Sequence, residues 1–485
     1  MIAAAEHYLP VGRTLLLGGQ WQAGERCMPV YNPWTRDVLQ EVACAGPAEV
    51  ARALEYARSG ARRSRALGSG ERAVLLRRAA ELVQARAAEF ARCITSESGK
   101  PISAAQKEVA RCIHTLRLSA EEATRIVGET LNFDSVEGGA GRSGYYQYEP
   151  LGIVVAITPF NDPLNLVAHK LGPAIAAGNA TILKPAEQAP LSALMLVRVL
   201  LEAGLPPGVV NVLTGYGSDF GAALVGAPEV ALVSFTGGEA AGQAIARQAG
   251  MKRLLMELGA NSPVIVSDRA DLDRAVPSCV SGAYWASGQN CVGVQRIFVQ
   301  QRIYREFAER FACQARALQV GDPGSEHCDV GPLISPADVQ RVDRWVQQAL
   351  SQGANLLCGG EAVGAVAYLP TVLDVGQRQV SVCDTEVFGP VVSLHSYDAL
   401  DEAIAAANRP DYMIHGAIFT DSLQEAMRAI RELECAGVLV NDSTDYRLDA
   451  MPFGGSKRGS MGREGVRHAI AQMVQTKTVC FNLSA

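Results

Sequence analysis

The chain has 485 residues, of which 48% are hydrophobic and 19% are charged. This composition excludes a globally disordered chain, and the length suggests about three domain-sized units. The 44 Lys and Arg residues against 50 Asp and Glu residues give a net charge of −6, which argues against a protein built mainly to grip nucleic-acid phosphates.

The sequence lacks the marks of secretion and of membrane insertion. Its first residues, MIAAAEHYLPVGRT, do not combine a basic start with a long apolar core, so we expect no secretory signal. The longest uncharged stretch, residues 275–295, carries Pro277, Gln289 and Asn290, which a membrane span would not carry together. The twelve cysteines are scattered without a CxxC pair, which favours free thiols in a cytoplasmic protein over a disulfide scaffold or a metal site.

The predicted elements change character along the chain. The N-terminal part is predicted to be helical, with Ser69 as the cap of one helix. From about residue 150, short β-branched runs alternate with amphipathic stretches, which predicts an α/β fold with a parallel sheet between two helical layers. Such a sheet binds ligands at the carboxyl ends of its strands. The predicted strands of this sheet are Gly152–Ile157, Ala180–Lys184, Val209–Leu213 and Val230–Phe235.

A second α/β region is predicted from about residue 258. Its strands include Val294–Gln300, Val391–His395 and Val438–Val440. The segments Tyr145–Tyr148 and Val474–Phe481 are predicted to be extended edges that pair with another subunit, with pairing inside the chain as the alternative.

Three short segments carry residues suited to acyl chemistry. Cys291 lies among small residues in SGQNCVG and is a candidate nucleophile, although an inert buried thiol fits the spacing as well. Glu257 ends an apolar strand and could act as a general base, or simply as a capping or ion-paired carboxylate. Asn161 follows a strand in the rigid turn TPFNDP and could aim its amide at an oxyanion, or form an ordinary Asx turn.

Two further segments suggest a nucleotide. FTGG, with a glycine four residues on, follows a strand and opens a helix, where a pyrophosphate could bind, although this is not GxGxxG. Lys184 and Glu187 end a neighbouring strand, and Glu187 could accept hydrogen bonds from ribose hydroxyls.

Seven segments together resemble the aldehyde dehydrogenase superfamily, in its order and at about its spacing. Residues 440–447 (VNDSTDYR) and 163–170 (PLNLVAHK) further resemble the branch of lactaldehyde, phosphonoacetaldehyde and non-phosphorylating glyceraldehyde-3-phosphate dehydrogenases. The seven segments are TPFNDP from Thr158, LKPAEQ from Leu183, FTGG from Phe235, MELGANSP from Met256, GQNC from Gly288, EVFGP from Glu386 and MPFGGSK from Met451.

The resemblance implies a domain plan, a cofactor and an assembly. Residues 1–127 and 150–257 would form a Rossmann-like NAD(P)-binding domain, and residues 258–450 an α/β catalytic domain. Residues 128–149 and 466–485 would form a small β oligomerisation hairpin, making a homodimer or homotetramer. The cofactor would be NAD, with NADP possible.

The resemblance also assigns roles. Cys291 would be the nucleophile and Glu257 the general base, and Asn161 would complete the oxyanion hole with the Cys291 backbone N–H. Lys170 and Glu464 would relay protons and support the site. The cofactor would contact Thr158, Pro159, Lys184, Glu187, Phe235, Thr236, Gly237, Gly238, Gly242, Leu258, Glu386 and Phe388.

The implied aldehyde tunnel contains charged residues. Guanidinium groups there would favour an aldehyde with a carboxylate, phosphate or phosphonate. Alternatively, Arg447 pairs with Asp162 or Asp445 and leaves a neutral pocket for a hydroxyaldehyde. The residues assigned to the tunnel are Arg447, Asp162, Asn165, His169, Arg111 and Phe453.

Three departures from the family pattern stand out. Gly238 stands where many members carry serine, Asp162 where an apolar residue is more common, and Gly459-Ser460 inverts the usual Ser-Gly. The predicted reaction is NAD(P)-dependent oxidation of an aldehyde to a free acid. A CoA-acylating enzyme is disfavoured by Glu257, because such an enzyme needs no base for hydrolysis. A non-catalytic relative should have lost one of the three central residues, and none is lost.

Overall fold

In a computed structural model of the protein, the structure describes residues 13–378 and 380–482. The predictions that concern residues 1–12 and 483–485 lie outside the described residues. The helices are α1 (Pro47–Ala66), α2 (Ser69–Ala85), α3 (Ala87–Ser98), α4 (Ile102–Ala123), α5 (Asn165–Ala176), α6 (Leu191–Glu202), α7 (Gly217–Gly226), α8 (Glu239–Ala249), α9 (Leu272–Tyr284), α10 (Tyr304–Ala317), α11 (Pro336–Ser351), α12 (Leu400–Ala407), α13 (Leu423–Glu432) and α14 (Val466–Gln472).

The strands are β1 (Thr14–Leu17), β2 (Gln20–Ala23), β3 (Arg26–Tyr31), β4 (Val38–Cys44), β5 (Glu129–Leu131), β6 (Arg142–Pro150), β7 (Ile153–Ile157), β8 (Ala180–Lys184), β9 (Val210–Val212), β10 (Val230–Thr236), β11 (Arg253–Glu257), β12 (Ser262–Val266), β13 (Val294–Gln300), β14 (Asn355–Cys358), β15 (Ala362–Val363), β16 (Ala367–Tyr368), β17 (Thr371–Asp374), β18 (Val391–Tyr397), β19 (Tyr412–Met413), β20 (His415–Phe419), β21 (Gly437–Val440), β22 (Ser456–Lys457), β23 (Ser460–Met461) and β24 (Val474–Asn482).

The first large sheet has the order β2-β1-β9-β8-β7-β10-β11-β23. Its five central strands are parallel, which confirms the α/β prediction. Along β7, Val154 and Ala156 pack into the core formed with α2 to α6, whereas Ile153 and Val155 pack into the core on the α1 and α7 side. Both faces of the strand are therefore buried, as its unbroken apolar run predicts.

The second large sheet has the order β14-β17-β18-β13-β12-β20-β21 and is parallel except for β14. Along β12, Val264 and Val266 face α9 and α10, and Ile265 faces α12 and α13. The predicted strands Val294–Gln300 and Ala180–Lys184 are observed with the same bounds, and the other predicted strands differ by one to three residues at their ends.

The small third sheet has the order β24-β6-β5. β6 and β24 pair with each other from Arg142↔Asn482 to Pro150↔Val474, so the alternative of pairing within the chain is correct for these two strands. The prediction that Tyr145–Tyr148 forms an edge is wrong, because β5 occupies the other side of β6. Among the described residues, the outer side of β24 has no strand partner.

The segment after residue 450 returns to the first unit. β23 joins the edge of the eight-stranded sheet beside β11, and α14 buries Val466, Ala469 and Ile470 in the core with α4 and α5. The predicted start of the C-terminal oligomerisation segment at residue 466 is therefore wrong: residues 466–472 belong to the first unit, and the strand begins at Val474.

The remaining features concern the cap of α2, the cysteines and the lengths of the helices. The cap of α2 is Gly68 rather than Ser69, because the Glu71 carboxylate accepts a hydrogen bond from the Gly68 N–H at 2.7 Å. All twelve cysteines carry free thiols. Across the described ranges, no helix is long and apolar enough to cross a lipid bilayer.

Candidate active site

The carboxyl ends of four adjacent strands meet at one edge of the first sheet. In register, Lys184 lies beside Ile157, Ile157 beside Phe235, and Thr236 beside Glu257. The turn that carries Asn161 follows Ile157 directly. The sequence-predicted residues of this edge are therefore brought together by the order of the strands.

Cys291 lies in a loop of the second unit that other loops hold in place. Ala286 and Ser287 adopt positive φ values of 50° and 60°, a costly conformation that persists only where surrounding contacts enforce it. Ser287 donates to the Gly331 carbonyl at 2.9 Å, and Gln289 accepts from the Ile334 N–H at 3.0 Å. These contacts fix the short segment that presents the thiol.

A cavity of about 420 Å³ lies between the two units and brings Cys291 and Asn161 together. Of the six residues predicted for the tunnel, Arg111, Asp162, Arg447 and Phe453 line this cavity. Its other lining residues are Lys107, Leu166, Ser278, Ser281, Trp285, Asn290, Val292, Asp442, Ser443, Asp445 and Tyr446.

Asn165 and His169 do not line the cavity, and their predicted place at the tunnel wall is wrong. Both are fully buried behind the wall, where His169 Nε2 lies 2.9 Å from Asp449 Oδ1 and Asn165 donates to the same oxygen at 3.4 Å. Asp449 in turn accepts from Arg111 Nη2 at 2.9 Å. The two residues thus support the carboxylate that holds Arg111.

Asp162 is paired with cations from the N-terminal helices. It forms an ion pair with Lys100 and accepts from Arg111 Nη1 at 3.3 Å. Lys100 also pairs with Glu108, whose other oxygen accepts from the N–H groups of Leu164 at 2.8 Å and of Asn165 at 3.0 Å. This network anchors the start of α5 and the turn that bears Asn161. The sequence analysis missed Lys100, Glu108 and Asp449, since nothing local marks them.

The pKa of Cys291 defines its resting state. Burial raises the pKa of Cys291 to about 12, and Glu386 acts in the same direction while Arg447 opposes it. The thiol is therefore neutral at pH 7 and needs a proton acceptor before it can attack a carbonyl.

Glu257 is a buried carboxyl group at the end of β11. Its side chain is 1% exposed, and burial raises the pKa of Glu257 well above its usual range, with Glu464 adding to the effect. Ser460 Oγ donates to Glu257 Oε1 at 3.3 Å, whereas Oε2 is buried with no hydrogen-bond partner among the described residues. A carboxylate with a raised pKa can hold and release a proton near neutral pH.

Lys170, Glu464 and Arg447 form a buried cluster beside Glu257. Lys170 Nζ donates to Glu464 Oε1 at 2.8 Å and to Ser234 Oγ at 3.0 Å. Burial opposes ionisation of Glu464, but Lys170 and Arg447 lower the pKa of Glu464 to about 2. Arg447 forms an ion pair with Glu464. The alternative predicted from sequence, a pair with Asp162 or Asp445, is therefore wrong.

At the carboxyl edge of the first sheet, Gly238 leaves open space and the Thr158 hydroxyl is free to donate a hydrogen bond. A Cβ at Gly238 would meet no atom within 4 Å, so open space lies at the first turn of α8, where the N–H groups of a helix attract anions. Thr158 Oγ1 is buried with no hydrogen-bond partner among the described residues. Both features suit an extended, phosphate-bearing ligand.

Glu187 and Lys184 lie at the carboxyl end of β8, along the same edge of the first sheet. Glu187 Oε1 accepts from the Gly217 N–H at 2.6 Å and from Lys184 Nζ at 3.4 Å, and the Glu187 side chain is 33% exposed. Burial lowers the pKa of Lys184, and Glu187 partly restores it.

Glu386 and Phe388 lie in a loop of the second unit, near the turn that follows β11. Glu386 Oε1 accepts from the Ala260 N–H at 3.2 Å, and burial raises the pKa of Glu386 to about 8. The Phe388 ring packs edge-on against Phe160, with 5.8 Å between the ring centres. Phe160 precedes Asn161, so this aromatic pair adjoins the oxyanion turn.

Most of the remaining predicted cofactor residues pack around the ends of β10 and β11. A Cβ at Gly242 would lie 2.5 Å from Leu258, so the glycine lets α8 lie close to the strand end. A Cβ at Gly237 would lie 2.6 Å from the Phe235 ring. Thr236 turns its hydroxyl to Glu464, at 3.5 Å, and the turn residue Pro159 is partly exposed.

Comparison with known proteins identifies the family. Residues 21–479 match the model of the aldehyde dehydrogenase family, and the chain belongs to that family. A protein of Pseudomonas canavaninivorans named aspartate-semialdehyde dehydrogenase 1 is 53% identical over 94% of this chain and 96% of its own length. The 3-sulfolactaldehyde dehydrogenase of Priestia megaterium is 40% identical over 97% of this chain and 98% of its own.

Solved structures agree with this assignment. Aldehyde dehydrogenase 21 of Physcomitrella patens, in complex with its reaction product succinate, is 35% identical, with a TM-score of 0.94 over 98% of this chain and 99% of its own. A glyceraldehyde-3-phosphate dehydrogenase of Methanocaldococcus jannaschii, complexed with NADP, is 36% identical, with a TM-score of 0.91 over 94% of this chain and 100% of its own. The protein is thus an oxidoreductase that couples aldehyde oxidation to NAD(P), and the predicted enzyme class is confirmed.

Proposed function

We propose that the protein oxidises a small aldehyde that bears an anionic group to the corresponding carboxylic acid. The observation that carries this proposal is Arg447: its guanidinium lines the cavity beside Cys291, yet its Nε and Nη2 are buried with no hydrogen-bond partner among the described residues. A buried, unsatisfied guanidinium is costly, and a carboxylate, phosphonate or sulfonate on the substrate would satisfy it.

The names of the relatives support an anionic substrate. Aspartate semialdehyde carries a carboxylate and an ammonium group, and sulfolactaldehyde carries a sulfonate. In this cavity, Arg111 and Arg447 supply positive charge, while Asp442 and Asp445 supply carboxylates that could bind an ammonium group. An aldehyde with both charges, or a hydroxyaldehyde with an anionic group, therefore fits the lining.

The chain's own residues account for each step of the chemistry. Glu257 accepts the Cys291 proton, and the thiolate adds to the aldehyde carbon. Asn161 and the Cys291 backbone N–H stabilise the oxyanion that forms. Collapse of the oxyanion would expel a hydride, and a nicotinamide held by Glu386 and Phe388 would supply its acceptor. The resulting thioester on Cys291 is hydrolysed by a water that Glu257 deprotonates, and Lys170 and Glu464 support the base and relay its proton.

We infer that Lys184 and Glu187 hold the adenosine ribose, that the first turn of α8 receives the pyrophosphate, and that Glu386 and Phe388 hold the nicotinamide end. The first unit would then be the cofactor-binding domain, and the second unit, which carries Cys291, the catalytic domain.

We also propose a cytoplasmic homo-oligomer, a dimer or a tetramer. Twelve free thiols suit a reducing compartment. β24 has an unpaired side among the described strands, β21 lies at the edge of its sheet, and α13 exposes Leu423, Met427 and Ile430 along one face. A second copy would cover such edges, and light scattering of the purified protein tests this.

A panel of aldehydes tests the substrate proposal. Aspartate semialdehyde, succinate semialdehyde, lactaldehyde, sulfolactaldehyde and propanal are compared at equal concentration, with NAD and with NADP, by absorbance of the reduced cofactor. We expect the highest kcat/KM with an anionic aldehyde. Propanal as the best substrate would contradict the proposal. A rate that requires CoA would favour the acylating alternative, against which Glu257 and its hydrogen-bonded position count.

A further inference from the structure

The inverted pair Gly459-Ser460 places a hydroxyl on the general base. In the antiparallel pairing of β11 with β23, Ser460 lies directly opposite Glu257. Side chains of directly opposed residues lie on the same face of a sheet, about 5 Å apart at Cβ. Ser460 Oγ accordingly reaches Glu257 Oε1, at 3.3 Å.

Position 459 is tighter for a side chain than position 460. A Cβ at Gly459 would lie 3.1 Å from the Ser456 carbonyl oxygen and 3.3 Å from the Met413 carbonyl oxygen, both rigid backbone atoms. Position 460 has ordinary strand geometry and room for a side chain. A chain with glycine at position 460 would therefore offer Glu257 no hydroxyl from this strand.

The surrounding loop confines the Glu257 carboxylate. Gly454 packs against it, since a Cβ there would lie 2.9 Å from Glu257 Oε1 and 3.0 Å from Ser460 Oγ. Ser460 has a second acceptor, the Gly462 carbonyl, at 3.2 Å. Because a hydroxyl has one proton, Ser460 can donate to Glu257 when the base is ionised. When the base is protonated, Ser460 can instead donate to Gly462 and accept from Glu257.

We propose that Ser460 is a positioning residue for Glu257, holding Oε1 so that Oε2 is left to take the proton of the water that hydrolyses the thioester. Oε2 is the carboxylate oxygen that is buried and unpartnered among the described residues. The hydroxyl also favours the ionised base, because its donation lowers the pKa of Glu257 against the effect of burial. This inference rests on the proposed role of Glu257 as the base of deacylation.

The test measures hydrolysis of the acyl-enzyme directly. The enzyme is mixed with cofactor and one equivalent of aldehyde, quenched at intervals, and the lifetime of the acyl adduct on Cys291 is read by intact-protein mass spectrometry. For Ser460→Ala and Ser460→Gly, we expect adduct formation within about twofold of wild type and an adduct lifetime about three- to tenfold longer. The rate of hydrolysis against pH should shift upward by about 0.5–1 pH unit, because the carboxylate loses a donor.

Two comparisons keep the result interpretable. Ser456→Ala removes a hydroxyl of the same loop that bonds the Met413 and Glu434 carbonyls and does not touch Glu257, so its adduct lifetime should match wild type. Ser460→Thr keeps a hydroxyl and should restore the pH profile.

The outcomes separate this inference from the role of Glu257. If Glu257→Gln prolongs the adduct while Ser460→Ala changes neither its lifetime nor its pH profile, the positioning role of Ser460 is overturned. If Glu257→Gln itself leaves hydrolysis unchanged, the proposed base fails. Equal slowing of adduct formation and hydrolysis in Ser460→Ala, with a lower melting temperature and no rescue by Ser460→Thr, would show a merely structural serine and overturn the inference.

Discussion

The guanidinium of Arg447 stacks on the ring of Phe453, 3.6 Å from its centre, while its Nη2 lies 3.6 Å from Glu464 Oε2. The second distance is too long for a hydrogen bond, so Glu464 attracts the cation without satisfying its donors. Glu464 already receives a hydrogen bond from Lys170 at 2.8 Å. Arg447 is therefore held beside the cavity in a fixed plane and keeps donors for another anion.

The same arrangement connects substrate recognition with the chemistry. Arg447 acts against the effect of burial on both Cys291 and Glu257, lowering the pKa of each. An anionic substrate group that binds Arg447 would weaken that effect and favour proton uptake by Glu257. The cation proposed to bind the substrate thus also influences the pKa of Glu257 and of Cys291.

Cys291→Ala should abolish aldehyde oxidation and leave cofactor binding intact. The reason is that covalent attack requires the thiol at this position, whereas the residues proposed to hold the cofactor are unchanged in the variant. Turnover is followed by absorbance of the reduced cofactor, and binding by fluorescence titration. Cys313→Ala removes an exposed thiol of α10 and should behave as wild type. Turnover retained above a few per cent would exclude covalent catalysis through Cys291.

Glu257→Gln should separate oxidation from hydrolysis. Attack is slower in this variant, because Glu257 no longer takes the Cys291 proton, so reduced cofactor should form more slowly than in wild type. The thioester then waits for an activated water, and we expect this slower burst to be followed by still slower turnover, measured by stopped-flow absorbance.

The pH dependence has a definite sign. The active base is the carboxylate, and burial raises the pKa of Glu257. The wild-type hydrolysis rate should therefore rise with pH through that raised pKa, and the variant should lose this limb. An unchanged steady-state rate at neutral pH would exclude Glu257 as the required base.

The strands could be predicted from sequence, whereas the charge pairs could not. Gly152–Ile157 was predicted to within one residue of β7 because a strand buried on both faces is a continuous apolar run. The partners of Asp162 and Arg447 have no such local signal. Lys100 lies 62 positions before Asp162, and only the packing of the N-terminal helices on α5 brings the two together.

The catalytic motifs could be predicted from the sequence only in part. Cys291, Glu257 and Asn161 could be located from short motifs: Glu257 ends β11, Asn161 lies in the turn after β7, and Cys291 lies in the loop before β13. The place of Asn165 and His169 was mispredicted, because sequence alone does not show which face of a fully buried helix meets a cavity. The consequence of Gly459-Ser460 could be seen only from the pairing of β23 with β11.

NAD should be preferred over NADP. The Glu187 carboxylate can accept from both ribose hydroxyls, and a 2′-phosphate beside it would meet a like charge at a cost of about 1 kcal/mol or more. The Gly217 N–H and Lys184 hold this carboxylate in place. The measurement is kcat/KM with each cofactor.

A matched pair of variants assigns this preference to one carboxylate. Glu187→Gln should relax the preference for NAD. Asp219→Asn, which alters a carboxylate of α7 paired with Arg26, should leave it unchanged. A kcat/KM that is higher with NADP than with NAD in the wild type would contradict this prediction.

Arg447→Ala should lower kcat/KM for an anionic aldehyde by about 10- to 150-fold, the equivalent of a charged hydrogen bond worth roughly 1.5–3 kcal/mol. With propanal, kcat/KM at each variant's own pH optimum should hardly change. The optimum itself should move to higher pH, because Arg447 lowers the pKa of Glu257 and Cys291.

Arg447→Lys keeps the charge but loses the planar fork, so it should restore the pH optimum and only part of the selectivity. Arg458→Ala, which removes an exposed arginine paired with Asp411, is the control. If Arg447→Ala lowers kcat/KM equally for the anionic aldehyde and for propanal, Arg447 supports the site without selecting the substrate. The proposal of an anionic aldehyde substrate would then be wrong.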